Sequence, residues 1–250
     1  MSELKGASFL IPNWPAPVNV KALSTTRFQG VSVGAYASNN LALHVGDAAE
    51  LVKQNRESLR LGADLPNKPA WLNQVHSNRV VAADVVNGKV DADASYSFTV
   101  GTVCVVMTAD CLPVFFTNKN GSKVAAAHAG WRGLADGILE NTLEKLTEPG
   151  EQIIAWLGPA IGPKYFEVGE EVYSAFVGQD KDAAHAFVNT KCSGKWLADI
   201  YHLARLRLNK FGVVDIYGGD HCTYQNKQQF FSYRRDKVCG RMASLIWLDK

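Results

Sequence analysis

The chain has 250 residues, of which 47% are hydrophobic and 20% charged, with a formal net charge of +2. That balance belongs to a soluble globular protein whose core needs no disulfide or metal staple to fold. A near-neutral chain without basic or acidic runs gives no sign of a nucleic-acid partner, and its apolar stretches are too short and interrupted to span a membrane.

The opening segment MSELKGASFLIPNWP lacks a basic stretch followed by a long apolar one, so no secretory leader is expected. Five cysteines (Cys104, Cys111, Cys192, Cys222 and Cys239) show no metal-finger spacing. Free thiols in a reducing, cytoplasmic location fit them best. No repeat, low-complexity tract or linker divides the sequence, so residues 1–250 are expected to form one domain.

In chain order, 19–27 (NVKALSTTR) reads as a strand. Residues 47–63 (DAAELVKQNRESLRLGA) have apolar positions at helical spacing and end near Gly62. Strands are predicted over 69–84 (PAWLNQVHSNRVVAAD), 102–110 (TVCVVMTAD), 113–118 (PVFFTN) and 123–130 (KVAAAHAG). A helix over 134–146 (LADGILENTLEKL) stops before Pro149-Gly150, and a strand follows at 153–161 (IIAWLGPAI). The amphipathic 196–212 (WLADIYHLARLRLNKFG) closes on Gly212, and 214–219 (VDIYGG) is again a strand. Strands outnumber helices and interleave with them irregularly, which predicts an α+β (mixed α/β) domain with sheets partly covered by helices.

Among the 6 histidines, His76 and His128 end or interrupt apolar, strand-like runs, and Cys111 does the same in VVMTADCLPVFF. Buried polar groups need partners. One metal ion satisfies all three, because two imidazoles and a thiolate make a zinc site with a fourth position open to water, whose pKa falls to about 7. Spacing alone leaves two other readings open. The three residues also suit hydrogen-bonded core histidines beside a buried cysteine, or a Cys111 nucleophile with His76 or His128 as its base. Asp110 fits either chemistry, or a plain cap.

In GWRGLADGIL, glycines flank Trp131-Arg132 at a strand-to-helix junction. Free N–H groups and a forked guanidinium there suit an anion, and a carbonyl-capping arginine suits the pattern equally. Further polar clusters are Arg27 in STTRFQGVS, Asn40, His44 and Asp47 in NNLALHVGD, and Asp91 and Asp93 in DADAS. FFSYRRDKVCGR adds Ser232, Arg234, Arg235 and Arg241. Each also suits a turn, a cap or a solvated face.

Together NQVHSNRV, TADCLPV, AAAHAGWRGLADGIL, LGPAIGPKYFEVGEEV and FFSYRRDKVCGR resemble the YfiH family. Its members are also called laccase-domain or polyphenol-oxidase-like proteins, and some are named peptidoglycan-editing factors. The likeness starts at STTRFQGVS and runs nearly to the end, departing at VCGR, where threonine commonly precedes Gly-Arg. The resemblance implies a single zinc site made by His76, Cys111 and His128, with copper as the alternative metal. It implies two mixed β-sheets packed together with helices on the outside, as in the cysteine-hydrolase toxins. It also implies phosphorolysis of adenosine, inosine, guanosine and methylthioadenosine to base and ribose 1-phosphate, with adenosine deamination attributed as well.

Composition weighs these activities. Multicopper oxidases use on the order of ten histidines, so a chain with 6 cannot build a conventional four-copper laccase alone. Copper-dependent polyphenol oxidation at one ion remains open. The His-x-Glu and Pro-Cys-x-x-Cys motifs of cytidine-type deaminases are absent, so deamination would draw on Asp93, Asp110 or His44. A peptidoglycan-precursor editing amidohydrolase is a further alternative. Under phosphorolysis, Arg132 and Arg27 hold phosphate and Trp131 or Phe28 stacks on the base. The expected catalytic set is Asp110, Arg132 and His44, and the expected substrate contacts are Arg27, Asn40, Asp93 and Trp131. The expected partners are small molecules, a purine nucleoside and phosphate, acting on a monomer.

Overall fold

The computed structural model describes residues 9–250. Residues 1–8, the start of the segment in which no secretory leader is expected, lie outside the described residues. In chain order the strands are β1 (Phe9–Leu10), β2 (Val20–Thr25), β3 (Val80–Ala82), β4 (Ala94–Ser97), β5 (Cys104–Thr108), β6 (Leu112–Asn118) and β7 (Val124–Ala129). They continue with β8 (Ile153–Leu157), β9 (Glu167–Gly169), β10 (Phe187–Asn189), β11 (Lys195–Ala198), β12 (Asp215–Gly218) and β13 (Met242–Leu248). The α-helices are α1 (Ala49–Gly62), α2 (Trp131–Ala135), α3 (Ile138–Leu146), α4 (Glu170–Val177), α5 (Ile200–Lys210) and α6 (Tyr233–Asp236).

Side-chain alternation along β6 sets the layers. Leu112, Val114 and Phe116 pack with Ile138 and Leu143 of α3 and Leu203 of α5. Phe115 points the other way, against Cys104 and Val106 of β5 and Ile246 of β13. The far faces of β5 and β13 carry Val105, Leu245 and Trp247, which pack with Leu59 of α1. Two sheets therefore lie face to face with a helix layer on each outer side, an arrangement that buries both faces of both sheets.

One sheet has the order β12-β8-β6-β7-β4-β3. It is mixed, with β12 parallel to β8 and β3 parallel to β4. The other sheet, β1-β2-β13-β5, is antiparallel throughout. The expected α+β class, with two packed sheets and outer helices, holds, but only the first of the two sheets expected to be mixed is so. A third, antiparallel sheet, β10-β11-β9, adds to the two.

Local differences from the sequence reading have local causes. Of the strand predicted over 69–84, only β3 forms; the rest is a loop laced to its neighbours, described below. The helix predicted from Leu134 is two helices, α2 and α3, separated at Asp136-Gly137, where Gly137 has φ 90°. The helix predicted from Trp196 starts at Ile200. Asp199 caps it by accepting the N–H groups of Tyr201 (2.9 Å) and His202 (3.0 Å), and Trp196 belongs to β11, stacked on Tyr173. The strand predicted to Ile161 ends at Leu157. All five cysteines are unpaired. No helix among the described residues is long and apolar enough to cross a membrane.

The path of β5, β6 and β7 positions the site. Three residues, Ala109, Asp110 and Cys111, carry the chain from one sheet to the other. Leu112 pairs with Ala129 and Pro113 with His128, so Cys111 and the end of β7 meet at the same end of the sandwich. A long segment, 26–48, is held over that end from α1. Asn55 of α1 is buried, accepts the Val31 N–H (2.8 Å) and donates to Ser32 Oγ (2.9 Å) and the Asn40 carbonyl (2.9 Å).

Replacing Asn55 by Ala strands buried donors and acceptors. Denaturant unfolding is expected to show a loss of about 2–3 kcal/mol; a loss below about 0.5 kcal/mol would show that water replaces these bonds freely.

Candidate metal centre

Asp93 precedes β4 and is fully buried. Its carboxylate accepts the backbone N–H groups of Val75 (3.2 Å), His76 (3.0 Å) and Ser77 (2.7 Å) and the Ser77 hydroxyl (2.7 Å). His128 Nδ1 lies 2.8 Å from the same carboxylate, and the His128 N–H donates to the Asp93 carbonyl at 2.7 Å. Burial disfavours the ionised form, and the His128 bond followed by the Ser77 donors outweighs it, so the pKa falls to about 2.

Three successive N–H groups can reach one carboxylate only if the chain curls. His76 accordingly has φ 60°, which a strand forbids. The loop is also stitched to the edge of β5. The Gln74 amide donates to the Met107 carbonyl (2.8 Å) and accepts the Met107 N–H (2.7 Å), as a neighbouring strand would. Earlier in the loop the backbone of Ala70 forms an isolated parallel bridge with Cys104.

These constraints bring three donor groups together. His76 Nε2 is 3.8 Å from Cys111 Sγ, and the rings of His76 and His128 meet edge to face with centroids 4.8 Å apart. One donor atom from each of His76, Cys111 and His128 lies within 4.8 Å of the other two. Tetrahedral zinc, with sulfur at about 2.3 Å and nitrogen at about 2.0 Å, separates its ligand atoms by about 3.5 Å. The donor set therefore fits a metal ion with small adjustments. Asp93 holds Nδ1 of His128, which leaves Nε2 for the ion. Burial disfavours charge on both partners, and mutual attraction outweighs it. His128 holds the Cys111 thiol below its ordinary value, while Cys111 and Asp93 hold the His128 imidazole above its own.

Gly130 makes room for this cluster. A Cβ there would stand 2.8 Å from His76 Cδ2 and 3.2 Å from Cys111 Sγ. Its φ of −67° suits any residue, so space alone requires glycine.

The remaining candidates separate. His44 lines a cavity of about 380 Å³ with His76, Cys111, His128, Tyr233 and Arg241. Trp131 lines an adjoining, more apolar cavity of about 190 Å³ with Ile161, Phe166 and Ile200. The two cavities share Ala109, Cys111 and Tyr233. Asp93, expected to contact substrate, is instead enclosed by its donors.

Asp110, expected in the catalytic set, borders the smaller cavity with its carboxylate engaged by internal donors. Its carboxylate accepts Thr223 Oγ1 (2.6 Å), Ser232 Oγ (3.0 Å) and the Arg234 N–H (2.7 Å). Asn40, also expected at substrate, is fully buried and holds backbone. The Arg27 guanidinium bonds the carbonyls of Ala37 and Lys227 and lies over Phe231. Arg132 is exposed and stacks on the Trp131 ring at 4.3 Å. Neither arginine lines either cavity. Gln74 and Tyr233 line the larger cavity without having been singled out; no local pattern marks either, since the loop that carries Gln74 and the start of α6 that carries Tyr233 are each held by a remote carboxylate.

Placing a methyl group at Gly130 (Gly130→Ala) pushes the His76 ring off its position. Metal affinity is expected to fall roughly tenfold or more, with the melting temperature of the metal-free protein within a few degrees of wild type. Unchanged affinity in a chelator-competition titration would contradict the packing argument.

The family model described as "Multi-copper polyphenol oxidoreductase laccase" matches residues 21–249. Over 243 residues the chain is 54% identical to purine nucleoside phosphorylase YfiH of Escherichia coli (strain K12), covering 97% of this chain and 99% of that protein. It is 51% identical over 239 residues to a purine nucleoside phosphorylase of Haemophilus influenzae, covering 95% and 98%. Among solved structures, the Neisseria meningitidis protein NMB0706 superposes with a TM-score of 0.94 at 54% identity, covering 98% of this chain and 100% of that one. YlmD from Geobacillus stearothermophilus gives 0.90 at 28% identity, covering 100% and 98%. The chain belongs to the YfiH family, the family described as multi-copper polyphenol oxidoreductase laccase.

Proposed function

We propose that the chain is a single-domain, metal-dependent purine nucleoside phosphorylase that acts as a cytoplasmic monomer. The names of its relatives support this reading. The observation that carries it is the paired cavity: an apolar chamber beside Trp131, Ile161 and Phe166 shares Cys111 and Tyr233 as lining with the chamber of the three candidate ligand side chains. A nucleoside has the matching division, with a flat base for the first chamber and a polar sugar for the second.

Zinc suits a thiolate and two imidazoles at near-tetrahedral spacing. Bound there, the metal supplies Lewis acidity beside the reacting centre. The protein's own residues do the rest. Asp93 fixes the ring and tautomer of His128. Trp131 offers an aromatic wall to the base. His44 is the proton-transfer group of the cavity, since Asp93 and Asp110 spend their carboxylates on internal donors. Burial, then Arg241 and Arg56, hold the His44 imidazole below its ordinary value, which favours the neutral form that accepts a proton. Deamination of adenosine in the same cavity would draw on the same group.

Purified zinc-loaded protein is expected to release adenine from adenosine only when phosphate is present. His128→Ala is expected to lose the metal and at least roughly 100-fold of that activity together. Base release without phosphate, cleavage of a muropeptide amide in its place, or turnover of phenols only with copper would each overturn the reading.

A further inference from the structure

The two arginines that the sequence offers for an anion, Arg27 and Arg132, lie outside both cavities. Arg241 lies inside the larger one. It shares that wall with His44 and the ligand side chains, and no aspartate or glutamate lines the chamber. The Arg241 guanidinium is held in place but not neutralised. Its Nη1 donates to the carbonyls of Cys239 (2.9 Å) and Gly240 (3.0 Å), and the group lies over the Tyr233 ring at 5.6 Å. Among the described residues no carboxylate pairs with it, and no protein acceptor takes its Nε or Nη2. A partly buried cation without a counter-charge is costly unless something anionic joins it.

Asn40 sets Arg241 and His44 side by side. Its Oδ1 accepts the Arg241 N–H (3.0 Å), and the Leu41 N–H returns to the Arg241 carbonyl (3.2 Å). The same amide oxygen accepts the Ala42 N–H (3.0 Å), and its Nδ2 donates to the Ala42 carbonyl (3.1 Å) and to Asp47 (3.0 Å). One buried side chain thus fixes both ends of the short loop that carries His44, and also fixes the start of β13. Gly240 permits the approach, since a Cβ there would stand 2.8 Å from Asn40 Cβ and 2.7 Å from the Phe231 ring. The lowered His44 pKa, with Arg241 as its largest charged cause after burial, reports the same positive field.

We propose that Arg241 and His44 form an oxyanion subsite in the metal-ligand cavity and that its occupant is inorganic phosphate. A pre-oriented guanidinium with free Nε and Nη2 presents the forked donor that phosphate accepts. A preference for an oxyanion follows from the cavity itself; the choice of free phosphate rests on the phosphorylase reading.

The test is calorimetric titration of the metal-loaded protein with inorganic phosphate, and separately with adenosine 5′-monophosphate, alongside steady-state kinetics. Arg241→Gln is expected to weaken inorganic phosphate binding and raise its KM roughly 10- to 100-fold. It should leave the adenosine KM within about twofold and the metal content at wild-type level. Arg241→Lys, which keeps the charge and loses the fork, should fall between, and His44→Asn should weaken phosphate by roughly tenfold. Arg132→Gln should leave phosphate affinity unchanged. Wild-type phosphate affinity in folded, metal-loaded Arg241→Gln and Arg241→Lys would overturn the subsite. Arg241-dependent binding of the nucleotide without any of inorganic phosphate would overturn its assignment to free phosphate. Absence of phosphorolysis would sink the functional reading, while phosphate calorimetry would still decide the subsite.

Discussion

One buried carboxylate organises the candidate metal centre. Asp93 gathers three consecutive N–H groups and a hydroxyl from the His76 loop on one side and His128 Nδ1 on the other. Charge-assisted bonds of this kind contribute about 1.5–3 kcal/mol each, and an unpaired buried carboxylate would cost several. The loop and the strand are therefore coupled: either each presents its ring to Cys111, or Asp93 is left uncompensated. The strand pairing of β4 with β7, which places Ala94 opposite Ala127, sets the carboxylate beside the histidine before any side chain is chosen.

The same device recurs around the cleft. Asp110 spends its carboxylate on Thr223, Ser232 and the N–H of Arg234, and so fixes the turn next to Cys111 against the segment that offers Tyr233 to both cavities. Asn40 joins the His44 loop to the start of β13, and Asn55 carries that whole segment from α1. Regular structure supplies the platform, and the reactive groups sit on irregular backbone held by buried polar side chains. That division gives rigid strands for the core and fixed, cavity-facing loops for chemistry.

The sandwich core and the meeting of His76, Cys111 and His128 in one cluster were legible in the sequence for related reasons. The strands β5 to β8 announce themselves as apolar runs, and Cys111 and His128 stand out as reactive side chains at the ends of such runs. His76 stood out in the same way within its own apolar run, and the family resemblance points to the same three residues. What was not legible depends on contacts remote in sequence. Residues 69–79 contain the alanine, leucine and valine of a strand, yet Asp93 curls them into a loop, and nothing local encodes that. Arg27 and Arg132 sit in glycine-rich contexts that suit an anion. The first is consumed by the Ala37 and Lys227 carbonyls and the second faces solvent, because the direction of a side chain is set by its neighbours and not by its motif. Arg241 stood among the weaker candidates because its partner, Asn40, lies at the other end of the chain.

Asp93 orders the three candidate ligand side chains from outside their cluster. Asp93→Asn tests this ordering most directly, because the amide keeps the shape, gives up one acceptor and presents an N–H₂ to groups that are themselves donors. The decisive measurement is metal affinity by chelator competition on the folded variant. A fall of about 10- to 100-fold, with the circular dichroism of the sheets retained, is the expected result. Wild-type affinity in that variant would contradict the account.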